Sequence, residues 1–403
     1  MKKRAAPADL SRRQFLRRAG LTVVTVGATP SILAACGSDS PSDPGASASG
    51  PAASGPAASP SVPPATGTLD YYSWEGYDSP VKATKTWLKD NGVTLNSSYI
   101  GNHDDIQAKL KASDNSEGFD LTTYYQGYKP LYTELGILGP IDDDKIPNLS
   151  GLNAFWSNDP KNQWIDADGT RTGIPWTFGS IGITYDSAEV DEMSSWYDLL
   201  DPSLKGRISL PDDPVGQFTL TAHILGLDPG ATPKADLQKV VDLVSQFVAQ
   251  CESISASFGD MTTKLVAGDI VACYQGWAAM NSFAAAEGVT TIKTNLPEEG
   301  SFTFADMFAI PAGADNVDTA HAWMNMLLDP VVNAQNAEYL VGAVTVDAAV
   351  ELLNEETKAL YPYDDIAGYL ELAPLYNNPP VESDEFVTQT EWTDAWQEIK
   401  AGA

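Results

Sequence analysis

Leu69-Asp70-Tyr71-Tyr72-Ser73-Trp74, closed by Glu75-Gly76, is an aromatic-rich run that reads as a β-strand ending in a turn. A helical stretch follows at residues 79–90, then a second strand at 93–100. Asn102-His103-Asp104-Asp105 offers capping side chains to a helix through Leu110-Lys111, and Phe119-Asp120-Leu121-Thr122-Thr123-Tyr124 is a third strand. This β-α-β-α-β alternation predicts a mostly parallel sheet with helices on its faces. Ligands of such open sheets gather outside the carboxyl ends of the strands. Trp74-Glu75 and Tyr124-Tyr125 fall there.

Similar alternation returns further along. Gly182-Ile183-Thr184-Tyr185, Ile208-Ser209-Leu210 and Ile270-Val271-Ala272-Cys273-Tyr274 read as strands, and residues 303–310 as an extended apolar run around Asp306. Helices are expected at 218–226, 234–250, 260–267, 277–287, 318–328, 330–340 and 390–401. Asp329-Pro330 separates the fifth and sixth, because proline disfavours a helical residue before it yet fits a helix's first turn. Two α/β lobes account for this better than one large domain.

Upstream of the fold lies a segment of different character. Residues 1–35 carry the twin-arginine pattern Ser11-Arg12-Arg13-Gln14-Phe15-Leu16, then an apolar stretch from Ala19 to Ala35 broken by Gly20, Gly27 and Pro30. It ends in Leu33-Ala34-Ala35-Cys36, which resembles a bacterial lipobox. The expectation is a twin-arginine lipoprotein signal at 1–35, cut before Cys36, whose thiol carries lipid. Residues 37–67 are almost wholly Gly, Ser, Pro, Ala, Asp and Thr, so 36–67 reads as a lipidated cysteine and a disordered tether. The body then works outside the cytoplasmic membrane, on the cell surface or in the periplasmic space. Cys251 and Cys273 leave two arrangements open in that oxidising setting: one disulfide, or two separately buried thiols.

Composition narrows the chemistry. The chain has 403 residues, 24 Lys+Arg against 54 Asp+Glu, a net charge of −30 and three His. That acidity argues against nucleic-acid binding, which needs a basic footprint. His103, His223 and His321 stand alone, so no metal or cofactor is expected. No G-x-S-x-G turn is present, although a secreted hydrolase working with two carboxylates stays open on composition alone. Three groups gather aromatics at strand ends, two of them beside an acid: Trp74, Glu75 and Tyr77; Tyr124, Tyr125 and Tyr128; Phe302, Phe304 and Asp306. Aromatic faces attract ammonium groups at ~0.5–2 kcal/mol each. Carboxylates add charge-assisted hydrogen bonds, so the combination suits an organic cation.

These pieces form a recognisable succession. Tyr72-Ser73-Trp74-Glu75-Gly76-Tyr77, Phe119-Asp120-Leu121 and Ile174-Pro175-Trp176 with Gly182-Ile183 come first. Ser195-Trp196-Tyr197-Asp198-Leu199-Leu200, Leu204-Lys205-Gly206-Arg207-Ile208, Leu210-Pro211-Asp212-Asp213 and Asp306-Met307-Phe308-Ala309-Ile310-Pro311 follow. The set resembles the spermidine/putrescine-binding proteins of bacterial ABC transporters, within the extracellular solute-binding superfamily, across residues 68–403. The resemblance implies an α/β, two-lobe periplasmic-binding-protein fold (type II, Venus-flytrap) with mixed β-sheets flanked by helices. Lobe 1 would be 68–177 plus 306–350 and lobe 2 would be 178–305 plus 351–403. It implies no enzymatic activity, no cofactor, a monomer, a polyamine ligand and an ABC permease as partner. Another solute, such as an amino-acid derivative or a sugar, is the alternative ligand.

Carried over by position, the resemblance implies ligand contacts at Trp74, Glu75, Tyr77, Tyr125, Asp213, Tyr274, Phe304 and Asp306, with Asp306 gripping an ammonium. One departure stands out. Three residues beyond the Asp213 position the better-studied members carry an amine-binding glutamate, whereas this chain has Gly216 followed by Gln217. Glu75, where a neutral residue often stands, is expected to restore the missing charge from the opposite lobe.

Overall fold

The computed structural model describes residues 60–74, 77–100, 109, 118–159 and 161–402. The expected signal, Cys36, Glu75, His103 and most of the helix expected at 102–111 lie outside the described residues.

Nine strands form a mixed sheet: β1 (Thr68–Trp74), β2 (Thr94–Ile100), β3 (Leu121–Tyr125), β4 (Ile174–Asp186), β5 (Ile208–Pro211), β6 (Cys251–Ser255), β7 (Ala272–Trp277), β8 (Ile292–Asn295) and β9 (Thr303–Ala309). Their order is β2-β1-β3-β9-β4-β7-β5-β6, with β8 on β4. The opening expectation is met: β1 pairs in parallel with both β2 and β3. Between β1 and β2 the expected single helix is two, Ser79–Ala83 and Lys85–Asp90, parted at Thr84. Thr84 turns its hydroxyl back to the Pro80 carbonyl and receives the Trp323 indole N–H at 2.7 Å. That side chain competes with the helix for backbone partners.

β4 is longer than its sequence announced. All thirteen of its residues are buried, so it lacks the alternation that marks a half-buried strand. Residues 174–180 pair with β9, while 181–186 pair with β7 and β8. β4 and β9 thus carry the chain between two hydrophobic cores. One core contains Leu69, Tyr71, Trp156, Trp176, Phe308 and Trp323; the other contains Trp196, Phe218, Val244, Phe247, Tyr274 and Trp396.

The tail divides later than expected. Leu353, Tyr361, Ile366, Leu370 and Leu375, assigned from sequence to the second lobe, pack in the first core, while Val387, Trp392, Ala395 and Trp396 join the second. Hydrogen bonds explain this: the Tyr361 hydroxyl donates to the Val341 carbonyl at 2.6 Å, and the Tyr363 hydroxyl accepts from the Val344 amide at 3.0 Å.

One further expectation is corrected and one open alternative is decided. Residues 60–67, read as part of the tether, lie against the body: the Ser61 amide donates to the Asp144 carbonyl and Thr66 exchanges two bonds with the Thr319 hydroxyl. A low-complexity strip needs only backbone partners to dock in this way. Cys251 and Cys273 are both free thiols. β5 lies between their strands, with Ile208 opposite Cys251 and Ser209 opposite Cys273. Two interstrand spacings hold the α-carbons roughly 10 Å apart, beyond disulfide reach.

Candidate ligand-binding site

The candidate residues converge where strands end. β1 ends at Trp74, which is half-buried, and β3 beside it ends at Tyr125, also half-buried. Tyr125 faces Asp306 across the antiparallel β3–β9 pair. Alternation does the sorting here: Tyr124 is fully buried in the first core with its hydroxyl on the Gln163 carbonyl, while Tyr125 points the other way. Tyr128 is buried in the same core, and Phe302 in the second.

Asp306 is 3% exposed and accepts a 2.5 Å hydrogen bond from the Tyr77 hydroxyl. Tyr77 stands edge-on to Trp176, with ring centres 5.1 Å apart. Burial raises the Asp306 carboxyl from its ordinary 3.8 to about 7, and the Tyr77 bond offsets part of that rise. No cation compensates this carboxylate among the described contacts, so it is ready to accept one.

Asp213 follows β5 and caps the helix Pro214–Ile224, taking the Gly216 amide at 3.1 Å on Oδ1. Its Oδ2 accepts from the Gln275 side-chain amide at 2.9 Å. Burial raises its carboxyl, and these two donors oppose the rise. The tip of the Phe304 ring lies against Gly179, where an added Cβ would stand 2.7 Å from the ring. Its ring meets Trp277 edge-on at 5.5 Å.

Tyr125 joins the two acids. Burial pushes its hydroxyl well above the ordinary range, and the negative charges of both Asp213 and Asp306 push it further. One side chain therefore feels both carboxylates, Asp306 on β9 and Asp213 at the helix start that follows β5. Trp74, Tyr77, Tyr125, Phe304, Asp213 and Asp306 share this region.

Tyr274 does not. It is fully buried in the second core, stacked on Phe247 at 4.2 Å and bonded through its hydroxyl to Thr221 at 2.7 Å. The sequence reading ended this strand at Tyr274, but β7 runs on through Trp277. The residues it missed are Gln275 and Trp277. A Gly-Trp step just past an apolar strand was the available signal.

The remaining polar clusters are structural. His321 accepts the Asp142 amide at 2.9 Å, and His223 sits between the Tyr376 hydroxyl and the Glu299 carbonyl. Burial lowers both imidazoles. Among the described residues no group of His, Cys, Asp and Glu could hold a metal ion, and no helix is long and apolar enough to cross a membrane.

The family model for bacterial extracellular solute-binding proteins matches residues 82–362. The chain belongs to that family. Among solute-binding proteins, the putrescine-binding periplasmic protein PotF of Escherichia coli K12 is 26% identical over 361 residues, covering 83% of this chain and 92% of that protein. The spermidine/putrescine-binding periplasmic protein of the same organism is 27% identical over 350 residues, with the same two coverages. Solved structures confirm the fold. The spermidine/putrescine ABC transporter substrate-binding protein PotD of Streptococcus pneumoniae superposes with a TM-score of 0.67 at 22% identity, over 84% of this chain and 98% of that one. The TpPotD lipoprotein of Treponema pallidum gives 0.64 at 20% identity, over 82% and 99%. The fold is that of the periplasmic binding proteins; the two Escherichia coli relatives are named as periplasmic binding proteins, and the Streptococcus pneumoniae structure as the substrate-binding protein of an ABC transporter.

Proposed function

We propose that this protein is the receptor of an ABC importer for a polyamine, a flexible chain with ammonium groups at its ends. The observation that carries the reading is Tyr125, opposite buried Asp306 in the β3–β9 pair and raised also by the charge of Asp213, with the Tyr77 hydroxyl on Asp306. Two separated carboxylates flanked by π-faces match a linear dication, each end taking charge-assisted hydrogen bonds and cation–π attraction. The names of the relatives point the same way.

The mechanism is domain closure. Trp74, Tyr77, Tyr125 and Asp306 belong to one core's side and Asp213 to the other's, so a bound cation favours the arrangement that brings the sides together. The closed form then docks on the permease and releases the solute unaltered. Export by way of residues 1–35, a lipid anchor on Cys36 and a monomeric receptor complete the proposal. The Ser11-Arg12-Arg13 and Leu33-Ala34-Ala35-Cys36 motifs support the first two.

A thermal-shift and calorimetric screen over putrescine, spermidine, spermine, amino acids and oligosaccharides tests it. Ligand at 100 times Kd stabilises the fold by about 2.7 kcal/mol. Stabilisation by an amino acid or an oligosaccharide, with none by the amines, refutes the polyamine assignment.

A further inference from the structure

Gln275 is held in an uncommon way. Between the pairs Gly182–Gly276 and Thr184–Cys273, β7 has two residues where β4 has one, a β-bulge. Gln275 is one of the two and has φ of 64°, a left-handed backbone that long side chains rarely adopt. Bulges redirect side chains, and strain of this kind persists where the surroundings enforce it. Here it directs a fully buried amide onto Asp213.

Gly216 makes room for that amide. A Cβ at 216 would collide with Gln275 Nε2 and with Asp213 Oδ2. The glycine, the bulge and the Gln275–Asp213 bond are therefore one arrangement. It leaves one atom unsatisfied: Gln275 Oε1 is buried and has no hydrogen-bond partner. A buried acceptor without a donor is costly, and a ligand donor relieves it.

We propose that Gln275 is a ligand-contacting, specificity-determining residue, its amide oxygen and the Asp213 carboxylate together receiving a single primary ammonium group. This rests on the polyamine reading and deepens it. An ammonium has three donors that accept scattered acceptors. A guanidinium presents a planar fork that wants both oxygens of one free carboxylate. On Asp213 one acceptor position of each oxygen is already taken, by Gly216 N–H on Oδ1 and by Gln275 Nε2 on Oδ2, which leaves scattered acceptors rather than an open fork. This end of the site thus selects an alkylammonium over a guanidinium.

Calorimetry with putrescine and with agmatine, which replaces one ammonium by guanidinium, tests the assignment on the full-length protein and on Gln275→Leu, Gly216→Ala and Gln275→Glu. The wild type is expected to prefer putrescine. Gln275→Leu and Gly216→Ala should each weaken putrescine about tenfold, the worth of one charge-assisted bond. Gln275→Leu should also narrow the putrescine/agmatine ratio. Gln275→Glu keeps an acceptor but sets a second carboxylate against Asp213 Oδ2, so at pH 8 it should bind putrescine more tightly than Gln275→Leu does. Should Gln275→Leu fail to fold, Gly216→Ala and Gln275→Glu read the same atom. If the wild type binds putrescine and the variants keep its affinity and selectivity, Gln275 is a scaffold residue and the inference falls alone. If the wild type binds neither amine, the polyamine reading falls and takes this inference with it.

Discussion

The two acids of the site are built differently. Asp306 lies inside the sheet on β9, 3% exposed, with the Tyr77 hydroxyl as its donor. Asp213 sits half-buried at a helix start with a donor on each oxygen, the Gly216 amide and the Gln275 side chain. Burial raises both carboxyls. The Asp306 end therefore stores an uncompensated charge that a cation must relieve. The Asp213 end is already hydrogen-bonded and contributes shape and donor selectivity. In the proposed function, affinity and specificity are thus divided between the two halves.

Replacing the stored charge should have the largest effect. Asp306→Asn is expected to lower amine affinity at least a hundredfold by calorimetry, the cost of an unmatched buried charge-assisted contact. The unliganded protein should melt higher, because the variant no longer carries a desolvated carboxylate. Equal losses of affinity for Asp306→Asn and Asp213→Asn would erase the contrast between the ends.

Acidity probes the same contrast. With its folded carboxyl raised to about 7 from 3.8, Asp306 binds more protons in the folded than in the unfolded protein between those values. Its contribution to stability is fully present below pH ~4 and is lost as pH rises through ~7, on the order of 4 kcal/mol at most. Ligand binding runs oppositely, since the cation needs the charged form. Affinity should fall about tenfold per pH unit below 7, and Asp306→Asn should flatten that slope.

Tyr77→Phe removes the donor that opposes the rise. The midpoint of the pH dependence should then move up by about one unit, with roughly tenfold weaker binding at pH 7. Gly179→Ala is the mildest test. Its Cβ would press on Phe304 at 2.7 Å and tilt the ring, costing a few-fold in affinity by the loss of part of one cation–π contact.

Local pattern made much of this legible. The strand ends at Trp74 and Tyr125 follow from composition and alternation, and both helices around Asp329-Pro330 appear where the proline places them, at Val317–Leu327 and Pro330–Leu340. Asp306 was readable as an acid inside an apolar strand. Tyr274 was misassigned because an apolar run does not say which of its aromatics face a core and which a ligand. Strands β6 and β8 were missed because each is short and carries no turn signal of its own. β4 was seen only at its end, since burial on every side removes periodicity.

By itself the sequence determined which segments become strands and helices, because propensity and periodicity act over a few neighbouring residues. It also determined the residue types available to hold a cation. Only the tertiary structure decided that Asp213 and Asp306, 93 positions apart in the chain, act on one tyrosine. It also decided that a bulge in β7 delivers Gln275 into the space above Gly216. Those outcomes depend on strand register and on which atoms exclude one another, and both are settled by packing across the whole sheet.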